Sequence, residues 1–145
     1  MSGLAELEQR LGHRFLDPAR LTRALTHSSD ANEHPPETSN EALALVGDAA
    51  LGLVVAEYFV MAEPDAPVGV LTPRRAELVS GGNLARWAAD LDLGALVRLG
   101  RGESQTGGRT RESILATTLE ALLGVIYLEA GIPAVRRVVA TLAHW

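Results

Sequence analysis

Glu41 and Asp48 stand seven residues apart, with Ala44 between them, on one face of a long, apolar, helix-patterned stretch. Glu120 sits in a second such stretch, with Thr117 one turn before it on the same face. If those two helices pack together, Glu41, Asp48 and Glu120 can converge. One or two carboxylates, completed by waters and a phosphate, are the usual way to hold Mg²⁺. Spacing alone also admits a structural account, and favours it. In that account Glu41 is a helix cap, Asp48 bonds to a neighbouring backbone group or His, and Glu120 pairs with an Arg. Asp48 is the telling residue, because an Asp inside an apolar helix is a poor helix former and is rarely buried without a partner.

Other chemistries are poorly supported. There is no G-x-x-x-x-G-K phosphate loop and no G-x-S-x-G nucleophile elbow. The chain has no Cys, which excludes disulfides and thiolate metal sites, and its four His show no zinc-ligand spacing. His27, at a helix end beside Ser28, reads as a capped structural residue. The glycine-rich stretch at 100–108 can present backbone N–H groups with Arg101 or Arg109 to a phosphodiester, or serve as a flexible connector.

The elements that must position these residues are helical. Leu4 to Leu11 reads as a short helix ended by Gly12, and Asp17-Pro18 pairs an N-cap with Pro at the first helical position. That second helix stops near Thr26 to Ser29, and Asp30 to Thr38, with Pro35-Pro36, reads as a loop. Thr38 and Glu41 have capping-box spacing for the long helix, which runs to about Ala62 and should be buried on most sides. Glu63 to Pro67 breaks it. Thr72-Pro73 starts the next helix, Asn83 to Leu91 forms another, and a polar loop follows at 100–109. A strong helix runs from Thr110 or Arg111 to about Ala130. Gly131 ends it and Pro133 opens the last one. No strand pattern or internal repeat appears, so the expected fold is all-α with about seven or eight helices.

The totals agree. A length of 145 residues suits one domain, and 47% hydrophobic with 4% aromatic residues suits a Leu/Val/Ala core of packed helices. The longest apolar run, Ala49 to Ala56, is too short to span a bilayer, and no basic-then-apolar leader precedes Gly3. The expectation is a cytoplasmic protein with no membrane segment. A net charge of −5 argues against a general nucleic-acid coat protein, though not against a cation-dependent nuclease with local arginine clusters.

Three ordered blocks carry a further signal. Leu25-Thr26-His27-Ser28 resembles an A-L-T-H-x-S segment. Asn40-Glu41-Ala42-Leu43-Ala44-Leu45-Val46-Gly47-Asp48 resembles N-E-R-L-E-F-L-G-D. Leu99-Gly100-Arg101-Gly102-Glu103, then Gly107-Gly108 and Arg111-Glu112-Ser113-Ile114-Leu115-Ala116, resembles L-G-x-G-E…G-G…R-E-S-I-L-A-D-x-x-E-A. Together they resemble the catalytic domain of the ribonuclease III family, endonucleases that cut double-stranded RNA. The match runs from Leu11-Gly12 to the last helix.

The resemblance implies a homodimer lining an acidic cleft for an RNA duplex, with four carboxylates at a Mg²⁺ (or Mn²⁺) site. The corresponding positions here are Ala44, Asp48, Thr117 and Glu120, so two of the four are not acids. Glu41 is kept, and the acid expected near Val68 or Gly69 is missing. Ala44 offers no oxygen and Thr117 only a neutral hydroxyl, which should weaken cation binding severely. Asp48 and Glu120 remain as ligands, with Glu41 as a further catalytic acid, and Arg101, Arg109 and Arg111 are candidate RNA contacts. Residues 1–145 then form a single ribonuclease III-like domain with no double-stranded-RNA-binding domain. The leading expectation is an RNA-binding dimer with weak or absent cleavage. The alternatives are a working Mg²⁺ endonuclease in RNA processing and a non-catalytic protein–protein module.

Overall fold

The computed structural model describes residues 2–145. Eight α-helices follow one another: α1 (Ser2–Leu11), α2 (Pro18–Ala24), α3 (Ser28–Glu33), α4 (Glu41–Ala62), α5 (Val68–Leu78), α6 (Gly81–Asp90), α7 (Arg101–Gln105) and α8 (Glu112–Ala143). Single 3-10 turns at Leu93–Leu96 and Gly108–Thr110 join the later ones. Among the described residues the only strand-type pairing is one isolated bridge between Thr26 and Arg98. The all-α expectation holds. Gly131 leaves helical conformation (φ 77°, ψ −178°), so α8 is two helices meeting at a kink, with Pro133 opening the second.

Helices α4 and α8 form the centre, and α6 also packs on α8. Leu51, Val54 and Val55 of α4 interlock with Leu119, Leu122, Leu123 and Ile126 of α8 in the buried core. Both helices are long and apolar enough to cross a membrane by length and composition, but here they pack on one another as core helices. The other side of α4 is not covered. Leu45, Leu53 and Met61 are 73%, 57% and 75% exposed, so the expected burial on most sides is not reached within one chain.

Several local expectations need correction. Thr38 does not cap α4. Asn40 is the N-cap residue and makes no side-chain cap bond, because its Nδ2 donates to the Ala24 carbonyl (2.9 Å) at the end of α2. Its backbone N–H donates to Thr26 (2.9 Å), so the start of α4 is tied to the end of α2. The segment from Asp30 is not all loop. Helix α3 occupies its first part, with His27 as a side-chain cap: Nδ1 accepts from the Ser29 N–H (3.1 Å), which is the structural role expected of it. Helix α5 begins at Val68 rather than at Thr72-Pro73. Pro73 lies inside it, where it forgoes a single hydrogen bond in a helix that buries no residue. The polar stretch at 100–109 contains the short helix α7.

The Asp17 cap forms as expected, its carboxylate accepting from Ala19 N–H (3.0 Å) and Arg20 N–H (3.3 Å). Behind it, the Glu129 side chain of α8 is only 5% exposed and accepts from His13 Nε2 (2.7 Å) and from the Leu16 N–H (3.1 Å). This carboxylate fastens the loop between α1 and α2 to the middle of α8.

Candidate metal centre

What brings Asp48 to Glu120 is the residue before it. A Cβ on Gly47 would stand 1.6 Å from the Glu120 carbonyl oxygen, and a Cβ on Gly124 would stand 2.1 Å from the Leu43 carbonyl oxygen. The two glycines face each other's helix, so α4 and α8 cross backbone against backbone. Asp48, next along α4, therefore meets the Glu120 side chain. Each glycine costs about 1 kcal/mol of helix propensity relative to Ala, which the close crossing offsets.

Glu120 is half-buried. Burial first, then a hydrogen bond to Asp48 and its charge, push the Glu120 carboxyl up to about 8 from an ordinary 4.5. Burial and the neighbouring Asp48 thus both favour the protonated form of the Glu120 carboxyl. Among the described residues no Arg or His pairs with either carboxyl, so the structural account in which Glu120 meets an Arg does not hold. Two adjacent carboxyls without a counter-cation fit a divalent ion in charge and donor type.

The other candidates lie at different removes. Ala44 is nearly buried one turn before Asp48, and Thr117 is half-buried one turn before Glu120. Glu41 is exposed at the first turn of α4, where Ser39 Oγ reaches its carboxylate (3.3 Å). It lies about 10 Å along the helix from Asp48 and is outside the pair. Arg109 is committed to the protein, donating to the carbonyls of Gly94 (3.1 Å) and Val97 (2.7 Å). Arg111 donates to Glu103 (3.2 Å) and the Thr106 carbonyl (2.9 Å). Arg101 is exposed, with its backbone N–H on Glu33 (2.8 Å) and its guanidinium without a partner among the described residues. Gly124 escapes a reading by chemistry because it bears no functional group. Its signal is a glycine persisting inside an otherwise strong helix.

The Glu120 proton makes stability depend on pH. The native state binds this proton more tightly than the unfolded chain does. Its contribution is therefore complete below about pH 4.5 and is lost as pH rises through about 8. Allowing for solvent screening of a half-exposed group, about 1–2 kcal/mol is at stake. Urea titrations at pH 5 and pH 9 are expected to show this loss in the parent and not in Glu120→Gln.

A helical domain whose two central helices carry facing carboxylates is thus the class of protein in hand. The Ribonuclease-III-like family model matches residues 17–144. Ribonuclease 3 of Caldanaerobacter subterraneus subsp. tengcongensis is 46% identical over 140 residues, covering 96% of this chain and 61% of its own length. Ribonuclease 3 of Streptomyces coelicolor is 47% identical over 133 residues, covering 92% and 48%. The crystal structure of the nuclease domain of ribonuclease III from Campylobacter jejuni superposes with a TM-score of 0.90 at 37% identity, covering 98% of this chain and 94% of that one. A second structure of that domain, concerned with flexibility in a region involved in its dimer formation, matches equally well. The chain belongs to the ribonuclease III-like family. It spans about half to three-fifths of the length of these curated relatives.

Proposed function

We propose that this domain acts on double-stranded RNA as a homodimer in the cytoplasm, with a weakened metal site that leaves cleavage slow or absent. The observation that carries the reading is the Asp48–Glu120 pair, two carboxyls held together with no protein cation beside them. Asp48 and Glu120 would hold one hydrated Mg²⁺ or Mn²⁺. Bound there, the ion would supply a water of lowered pKa and neutralise charge on a phosphodiester. The protein's own part is to hold the two carboxyls in register through the Gly47–Gly124 crossing and to release the Glu120 proton on binding. With Ala44 and Thr117 where the family resemblance implies acids, ligand charge is halved, and affinity for a hard cation falls with it. Of the three candidate RNA contacts, Arg101 has the free guanidinium. The exposed strip of α4 from Leu45 to Met61, beside an apolar groove of about 430 Å³ containing Leu45, Leu53 and Tyr127, supports dimerisation through this face.

A working endonuclease is the second reading, favoured by the same pair, since two carboxylates suffice for many Mg²⁺ sites. A long RNA duplex incubated with Mg²⁺ or Mn²⁺, beside Asp48→Asn, decides between them. The expected result is salt-dependent binding with at most a trace of cutting. Efficient, EDTA-sensitive cutting that disappears in Asp48→Asn would establish the second reading instead. Absence of salt-dependent RNA affinity would refute both and leave a protein–protein module.

A further inference from the structure

We propose that Asp30, His34 and Glu37, at the turn leading into α4, form a second divalent-cation site of the zinc type. Histidine spacing along the chain gives no zinc pattern, yet the fold gathers these three side chains. One ligand atom from each lies within 4.8 Å of the others. His34 Nδ1 donates to the Asp30 carbonyl (3.0 Å) and stands 3.2 Å from Asp30 Oδ1, so a metal ion taken at Nδ1 would displace that proton.

The second observation is Asp30 itself. It is 7% exposed, on a helix of six residues, and its Oδ2 is buried without any hydrogen-bond donor. An anionic oxygen in that condition calls for a compensating cation. Arg98 is the nearest protein cation. Its Nε stands 3.7 Å from Oδ2, too far for a hydrogen bond, and its Nη2 is spent on Glu37 (3.1 Å). One guanidinium is thus shared between two carboxylates, and neither Asp30 oxygen takes a hydrogen bond from it.

Ligand chemistry selects the ion. One imidazole with two carboxylates is a set that zinc accepts, with a fourth position left to water. Magnesium prefers an all-oxygen octahedron. Zinc bonds of about 2.0–2.1 Å set ligand atoms roughly 3.4 Å apart, so the cluster must contract by about an ångström. His34 and Glu37 are exposed and have room to close on the fixed Asp30. Arg98, whose side chain is 41% exposed, has room to swing outward. The bound ion would brace residues 34–40, the segment that delivers Asn40 and the start of α4. None of its ligands belongs to the Asp48–Glu120 pair.

Titration of the purified chain with Zn²⁺ by calorimetry, and with Co²⁺ by its visible absorption, tests this in the presence of excess Mg²⁺. One equivalent is expected to bind in the parent and in Asp48→Asn/Glu120→Gln. Affinity should fall at least about tenfold in His34→Ala and in Asp30→Asn. It should tighten about tenfold in Arg98→Ala, which removes the competing charge. His34 is exposed, so its variant keeps the fold, as circular dichroism would verify. The proposal is overturned if no equivalent binds, if the site is lost in Asp48→Asn/Glu120→Gln but kept in His34→Ala, or if Arg98→Ala weakens it.

Discussion

Gly47→Ala is expected to destabilise the fold by about 4 kcal/mol or more. The added methyl would sit 1.6 Å from the Glu120 carbonyl oxygen, an obstacle of backbone that no side-chain rotation can relieve. Helices α4 and α8 would have to separate along the crossing that buries Leu51, Leu119 and Leu122. Overpacking of a core commonly costs about 1–3 kcal/mol, and a helix-to-helix backbone clash belongs at or beyond about 4 kcal/mol. That is much of the roughly 5–15 kcal/mol that a domain has in total. Gly124→Ala, 2.1 Å from the Leu43 carbonyl, should behave alike. Gly69→Ala is the control, because nothing lies within 4 Å of its added methyl and helix propensity improves by about 1 kcal/mol. Urea unfolding followed by circular dichroism reads all three. A Gly47→Ala unfolding free energy within about 1 kcal/mol of the parent's would show that the crossing is far softer than its geometry says.

The second large effect is a gain. Under the proposed function, Ala44→Glu with Thr117→Asp is expected to raise Mg²⁺-dependent cutting of an RNA duplex by about a hundredfold or more. The two new carboxylates would stand one turn from Asp48 and one turn from Glu120, doubling the ligand charge. They also carry a cost. Four carboxyls crowded at this crossing disfavour one another's charged forms, and without metal the double variant should lose about 1–3 kcal/mol of stability. Mg²⁺ should restore it, because a ligand that binds only the native state stabilises that state by mass action. Cutting unchanged in the double variant, together with metal-independent stability, would mean that Ala44 and Thr117 do not limit the site.

How far the sequence could be read depends on how local each cause is. The pairing of Asp17 with Pro18 and the break at Gly131 and Pro133 act within a few residues, and they read correctly. The cap at Thr38 did not, because Asn40 is held by Ala24, sixteen residues earlier. Nor did the onset of α5, where a proline is tolerated inside an exposed helix. At the site, Asp48 stood out as an acid in apolar surroundings, but its meeting with Glu120 depends on an approach between helices that periodicity does not encode. The carbonyl and carboxylate partners of Arg109 and Arg111 come together only in the folded chain, so sequence could not show them. The Asp30, His34 and Glu37 cluster was invisible for the same reason, since a helix where a loop was expected changed which side chains face one another.

The packing of α4 on α8 also bears on how the molecule is made. Gly47 and Glu120 are more than seventy residues apart in the chain, so the central contact closes a long loop and forms late. During synthesis α4 emerges first and has nothing to cover either of its apolar sides until α8 follows. The segment that carries Asp48 thus stays open to aggregation on the ribosome, and gains from a chaperone that holds the chain until α8 arrives.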